Sequence, residues 1–206
     1  MALLIQIILL FILPLTLLYC RVVPVRFRLW VLGAVLAGCV LVSACEGTPL
    51  VAMGIRTDTV GSSLMPYLLF TAAGIAAIAG YAHAVGKKSA TTWWRDDHFL
   101  FWFMPISAAQ QFIFMGFLLP RLTEALPGTV LAVVASALLF SALHFIYKDA
   151  RVDFPLAFIG GIALTTMYLS FPNLIVSSLA HMALNFTAVL FSFFTINKPM
   201  ARISHV

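Results

Sequence analysis

The chain has 206 residues, of which 63% are hydrophobic and only 9% are Asp, Glu, Lys or Arg. That balance excludes an ordinary soluble domain and points to an integral membrane protein built as one compact bundle of apolar helices. The net charge of +5 does not call for a nucleic-acid partner, because the placement of Lys and Arg along the chain has a better explanation.

The first apolar run covers 2–19, contains Pro14 and has no positive charge before it, which argues against a cleaved signal peptide. Arg21, Arg26 and Arg28 then form a short basic loop, and 29–44 is a second run rich in small residues. It ends in Val42-Ser43-Ala44-Cys45, which looks like a lipoprotein cleavage box but follows the second apolar run rather than the first. Cys20, Cys39 and Cys45 fix no pairing and read as packing residues. Residues 46–65, with Gly, Pro, Thr and Ser, fit an extramembrane loop before a third run at 66–86.

Residues 87–98, KKSATTWWRDDH, are basic with two tryptophans, the composition of a segment at a membrane interface. The fourth run, 99–119, holds Pro105 and the pair Gln110-Gln111, and Arg121 and Glu124 fall in the short loop beyond. A fifth run, 129–147, ends in Lys148, Asp149, Arg151 and Asp153; a sixth, 154–171, contains Gly160-Gly161. A Pro172-Asn173 turn leads to the seventh, 174–194, and a short basic tail follows. No polar stretch between runs approaches the usual domain size of ~50 residues, so 1–206 reads as a single membrane domain.

Seven spans put alternate loops on opposite sides, and the basic residues test that count. One side carries Arg21, Arg26, Arg28, Lys87, Lys88, Arg95, Lys148, Arg151, Lys198 and Arg202; the other has Arg56 and Arg121. The positive-inside rule then places the C-terminus in the cytoplasm. The expected fold class is all-α, a polytopic transmembrane helix bundle of about seven spans. Strands are excluded, because the runs are too long and lack alternation.

Polar groups inside spans are costly in hydrocarbon and face partners in the bundle interior. Gln110 and Gln111 are such groups, with Met115 one turn beyond Gln111 and Gly116 free to let another backbone approach. Interhelical glue is the plain reading of these amides. Three histidines also fall within spans: His83, which has no polar companion, His144 and His181. Helical spacing puts Ser177, His181 and Asn185 on one face, and Phe140 one turn before His144 as an apolar wall.

Two polar residues with a long side chain four later and then Gly-Phe-Leu, next a Phe-x-x-x-His helix, and last a His-x-x-x-Asn helix preceded by Ser-Leu-Ala, occur here in that order on successive spans. This pattern resembles the CPBP family of intramembrane proteases, the CAAX-processing and bacteriocin-processing (Abi) type. Its first motif, Glu-Glu-x-x-x-Arg, commonly within EExxFRG, falls on Gln110-Gln111-Phe112-Ile113-Phe114-Met115-Gly116. The second falls on Phe140 to His144 and the third on His181 to Asn185, so the motif-bearing core spans 106–194. The resemblance implies the CPBP fold and peptide hydrolysis: a glutamate of the first motif activates a water, while the histidines and asparagine bind that water or stabilise the oxyanion.

The chain departs from the family at the chemistry itself. Glutamine can orient a water but cannot take its proton, and losing a general base typically costs ~100- to 10,000-fold. The second glutamate and the arginine, an ion pair in the family motif, are both neutral here as Gln111 and Met115, so no lone charge is left in the membrane. Glu46, Asp58, Asp96, Asp97, Glu124, Asp149 and Asp153 all read as loop residues, with Asp149 and Asp153 nearest His144. No metal is expected, since two histidines, an asparagine and neutral amides lack the anionic ligand of a catalytic zinc site, and no cofactor is implied.

The resulting expectation is a cavity with Gln110, Gln111, His144, His181 and Asn185 at the catalytic positions and Met115, Phe140 and Ser177 lining the substrate space. It would serve either an intramembrane endopeptidase acting on a membrane-anchored or lipidated protein near its C-terminus, or a pseudoprotease relative working as chaperone, immunity factor or regulator. A haem or metal carrier using His144 and His181 is a third reading, which an absorption spectrum would expose. The resemblance points to the inner (plasma) membrane of a bacterium, with the lipid bilayer as the other partner.

Overall fold

Among the described residues of the computed structural model, which are 2–89, 97–146 and 150–194, the chain forms helices and no strand. The helices are α1 (Ala2–Tyr19), α2 (Val25–Cys45), α3 (Val60–Ala84), α4 (Asp97–Gln111, continued by Phe112–Leu118 and Leu119–Ala125), α5 (Thr129–Phe145), α6 (Ala150–Ser170) and α7 (Leu174–Leu190). Five of these helices are long and apolar enough to cross a membrane, the Phe103–Ala125 part of α4 among them; α5 and α7 are apolar but shorter. Residues 90–96 of the interfacial segment, Asp149 and the basic tail lie outside the described residues.

The apolar runs become helices because hydrocarbon offers no partner for backbone groups, which must bond within the segment. Several boundaries differ from expectation: α3 begins at Val60 rather than 66 and α7 ends at Leu190 rather than 194, and two further shifts move charged residues inward. Helix α4 does not stop at 119 but continues to Ala125, so Arg121 is buried in the bundle and not in a loop. Helix α6 begins at Ala150, and Asp153 is a fully buried first-turn residue rather than a loop carboxylate. In both cases a charged side chain finds partners across the bundle, which hydropathy along one segment does not register. Among the cysteines only Cys39 packs in the core; Cys20 and Cys45 are exposed.

Helix α5 lies along α6, where Gly161 has no side chain to hold off Ala137; a Cβ there would sit 3.2 Å from the Ala137 Cα. Helix α7 packs along both α3 and α4. Helices α3 and α6 scarcely touch, and the space between them becomes the main cavity. Phe114 on α4 bridges Phe11 of α1 and Phe140 of α5, with ring centroids 5.9 and 5.2 Å away.

The helix ends sort into two groups. At one end Tyr19 meets Phe145, Tyr81 donates to Val152 O at 3.2 Å and Lys87 donates to Ser192 O at 3.0 Å. At the other, Leu174 N donates to Gly54 O at 2.8 Å, and Asn173 Nδ2 donates to Arg56 O and Thr59 Oγ1, both at 3.0 Å. The 46–59 connection is therefore tucked into the bundle at Met53 and Gly54. Gly116 permits this: a Cβ there would come within 3.2 Å of Met53 O.

Candidate active site

Helix α4 winds as a π-helix from Phe112 to Leu118, directly after the glutamine pair. Each π turn takes an extra residue, so the i to i+4 register that would place Met115 beneath Gln111 no longer holds. Met115 instead lies in the apolar core with Phe11 and Phe117, 3% exposed, and lines neither cavity described below.

Gln110 and Gln111 part company. Gln111 is buried and donates to Ser177 Oγ, a short buried contact that ties α4 to α7. Gln110 faces the third motif: its Oε1 lies 3.4 Å from both His181 Nε2 and Asn185 Nδ2. Asn185 Nδ2 also lies 3.3 Å from His181 Nε2 and 3.3 Å from Ser107 Oγ. One NH2 group with two protons thus has three acceptors in reach and can serve two at a time. If His181 Nε2 carries a proton it donates to Gln110, and if bare it accepts from Asn185; the two bonds exclude each other.

Ser107 escaped the motif reading. It sits three and four residues before the glutamines, on their side of α4, and is 1% exposed. That spacing on an apolar helix is the signal that would have found it.

His144 does not join this hydrogen-bonded group. Its Nδ1 donates to Phe140 O at 3.1 Å, and a neutral ring held that way presents Nε2 as an acceptor. The His144 ring lies 5.2 Å from the Phe140 ring and that of His181 5.8 Å from it, so the second and third motifs meet across one phenyl group. His83 is exposed on α3, away from the site.

A cavity of about 460 Å3 opens between α3 and α6, with His181, Asn185, Phe140 and Phe194 in its wall and otherwise mostly apolar residues such as Phe70, Leu164 and Leu184. Gln110 instead borders a second cavity of about 110 Å3 walled by α1 and α2. Ser177, fully buried against Gln111, lines neither of the two. The donors of Asn185 and His181 face a common point beside Gln110, which suits them to polarise a carbonyl oxygen. No group of three or more His, Cys, Asp or Glu suited to a metal ion occurs among the described residues.

Comparisons with curated proteins and with solved structures gave no match. A family model described as "Type II CAAX prenyl endopeptidase Rce1-like" matches residues 2–187, nearly the whole described chain, so the likeness reaches well beyond the motif-bearing helices. On that match the chain is an integral membrane protein of the CAAX intramembrane protease kind, and it belongs to the Rce1-like family of type II CAAX prenyl endopeptidases.

Proposed function

We propose that this protein binds a prenylated or otherwise membrane-anchored protein near its C-terminus in the α3–α6 cavity and cleaves it slowly or not at all. One observation carries the reading: Gln110, at a position where the family motif has glutamate, meets His181 and Asn185 through its amide oxygen. An amide there can orient a water or hold a carbonyl, but at neutral pH it cannot accept a proton. Donors bind a carbonyl whether or not a base stands beside them. The apolar walls between α3 and α6 suit a lipid chain entering from the bilayer.

The buried hydrogen bond from Gln111 to Ser177 supports a second reading, in which the neutral pair has become structural and the protein acts as a membrane chaperone, immunity factor or regulatory partner. Both readings share the cavity and differ in turnover. The test is to incubate the purified protein with an S-farnesylated, fluorescein-labelled peptide, following binding by polarisation and cleavage by mass spectrometry. Saturable binding with no cleavage, or cleavage at least 100-fold slower than in Gln110→Glu, is expected. Cleavage at ~1 s⁻¹ or faster that survives Gln110→Ala overturns the proposal. Loss of that cleavage in Asp149→Asn would then place the base in the loop after α5.

A further inference from the structure

Three side chains that the motifs leave aside or use only in part hold the chain's own last described turn over one end of the main cavity. Lys87 Nζ donates to the main-chain oxygen of Ser192 at 3.0 Å and stands 5.1 Å from the centre of the Phe193 ring. Asp153 Oδ2 accepts the main-chain N–H of Phe194 at 3.0 Å. The Phe194 ring lies 4.4 Å from that of His144 and forms part of the wall shared with His181 and Asn185. Phe193 is fully buried and stacks on Tyr81 at 5.8 Å.

The backbone is bent to make these contacts. Ser192 and Phe194 have φ of 60° and 59°, a left-handed conformation that is strained for a non-glycine residue and persists only where its surroundings impose it. The contacts that impose it are those by which a protein grips a peptide. A cation takes a carbonyl oxygen, a carboxylate takes an amide proton, and a flat side chain is received against a histidine ring. The two polar contacts do not depend on which residues occupy positions 192 and 194.

The geometry points to a peptide-docking subsite made by Lys87, Asp153 and His144, which Ser192–Phe194 fills in cis and which a substrate segment that takes the same turn and carries a large apolar side chain fills in trans. This rests on the reading that the cavity receives a membrane-anchored protein. A tethered occupant competes at an effective concentration of ~1 mM, so it holds back weak partners and yields to one whose lipid anchor also binds. The turn is thus a self-supplied competitor, and Phe194 marks where the side chain of the bound peptide goes.

Two S-farnesylated, fluorescein-labelled peptides that differ only in a Phe or an Asp just after the farnesyl-cysteine provide the test, with the full chain in detergent and polarisation as readout. Phe194→Ala is expected to bind the Phe peptide at least tenfold more tightly than the unaltered chain does, with little gain for the Asp peptide. Adding Lys87→Met should reverse most of that gain. Equal affinity of the unaltered chain and a folded Phe194→Ala for the Phe peptide, or equal gains for both peptides, overturns the subsite. Should Phe194→Ala fail to fold, 4-fluorophenylalanine at 194 serves instead: saturating Phe peptide should move its fluorine resonance toward that of a solvent-exposed ring, and an unmoved resonance under saturated binding overturns the proposal. Binding without cleavage supports the subsite and bears otherwise only on catalysis, whereas failure of both peptides to bind Phe194→Ala removes both readings.

Discussion

Asn185 Nδ2 and Gln110 Oε1 stand 3.4 Å apart, joining α7 to α4. The partners of that oxygen would also suit a carboxylate. Asn185 donates to it, and His181 is placed to do so at 3.4 Å. Gln110→Glu should therefore fit with little rearrangement and supply a general base. The expected result is an increase in cleavage of a farnesylated peptide by ~100-fold or more, the usual contribution of a general base. No gain in a folded variant would overturn the reading that Gln110 limits turnover.

The second exchange behaves differently. Met115 is packed in the apolar core beyond the start of the π-helix, and Gln111 is committed to Ser177. Gln111→Glu with Met115→Arg would bury two charges whose register the π-helix has altered, and an imperfect buried pair costs several kcal/mol. This double variant should lower the melting temperature in detergent while Gln110→Glu leaves it nearly unchanged.

How much of this was legible in the sequence follows from what each signal measures. The runs, the motif order and the shared face of His181 and Asn185 depend on local periodicity, which the sequence carries directly. Ser107 obeys the same periodicity, but serine is common in membrane helices and alone marks no site. The positions of Met115, Arg121 and Asp153 could not be read that way. Met115 depends on a π-helix that shifts the register, and the other two on partners more than forty residues away in sequence.

Arg121 is the clearest such case. It donates to Glu46 Oε2 at 2.5 Å, to Gln6 Oε1 at 2.7 Å and to Phe117 O at 3.1 Å, while its guanidinium lies 3.5 Å from the centre of the Phe117 ring. Gln6 in turn donates to Glu46 Oε1 at 2.6 Å, so α1, α2 and α4 are pinned at one point. Glu46→Ala leaves a nearly buried cation without its carboxylate. Because Glu46 itself is partly solvated, the cost should be about 2 kcal/mol, between exposed and buried pairs. Glu46→Ala with Arg121→Met should recover part of that loss; strict additivity in a double-mutant cycle would deny the coupling.

Asn173 works at the same end of the bundle. Its Oδ1 accepts from Val176 N at 3.1 Å, capping α7, while Nδ2 ties that cap to Arg56 and Thr59 before α3. Asn173→Ala removes a cap worth ~1 kcal/mol and strands half-buried partners at about 1 kcal/mol more at most. Asn173→Asp should keep the cap and lose only the donated bonds, so its melting temperature should fall between those of Asn173→Ala and the unaltered chain.

The Arg56–Asp58 pair in the same connection gives a pH dependence of known sign. The hydrogen bond from Arg56, and then its charge, hold the Asp58 carboxyl below its ordinary value. A depressed carboxylate adds stability above its unfolded pKa of ~3.9, and this is lost as pH falls through the lower folded value. Both groups are exposed, so the effect should be small and screened by salt. Asp58→Asn should melt slightly below the unaltered chain at pH 7 and converge with it in acid; a gap that widens on acidification would reverse the assignment.

The packing brings the ends of α1, α3, α5 and α7 together through Tyr19 with Phe145 and Lys87 with Ser192, and it gathers Gln6, Glu46, Arg121, Arg56 and Asn173 at the opposite end. The first end carries ten of the twelve Lys and Arg if the loop and tail residues follow the helices they adjoin. Arg56 and Arg121, at the second end, are both paired with carboxylates, which leaves that side with little uncompensated positive charge. The positive-inside rule then puts the first end in the cytoplasm, and with it His144 and the turn at 192–194. A green fluorescent protein fused after Val206 should fluoresce, and an alkaline phosphatase fused there should be inactive. The same pair of reporters inserted at Gly47 should give the opposite result. Phosphatase activity after Val206 would turn the molecule over and put the His144 end of the bundle toward the outer face.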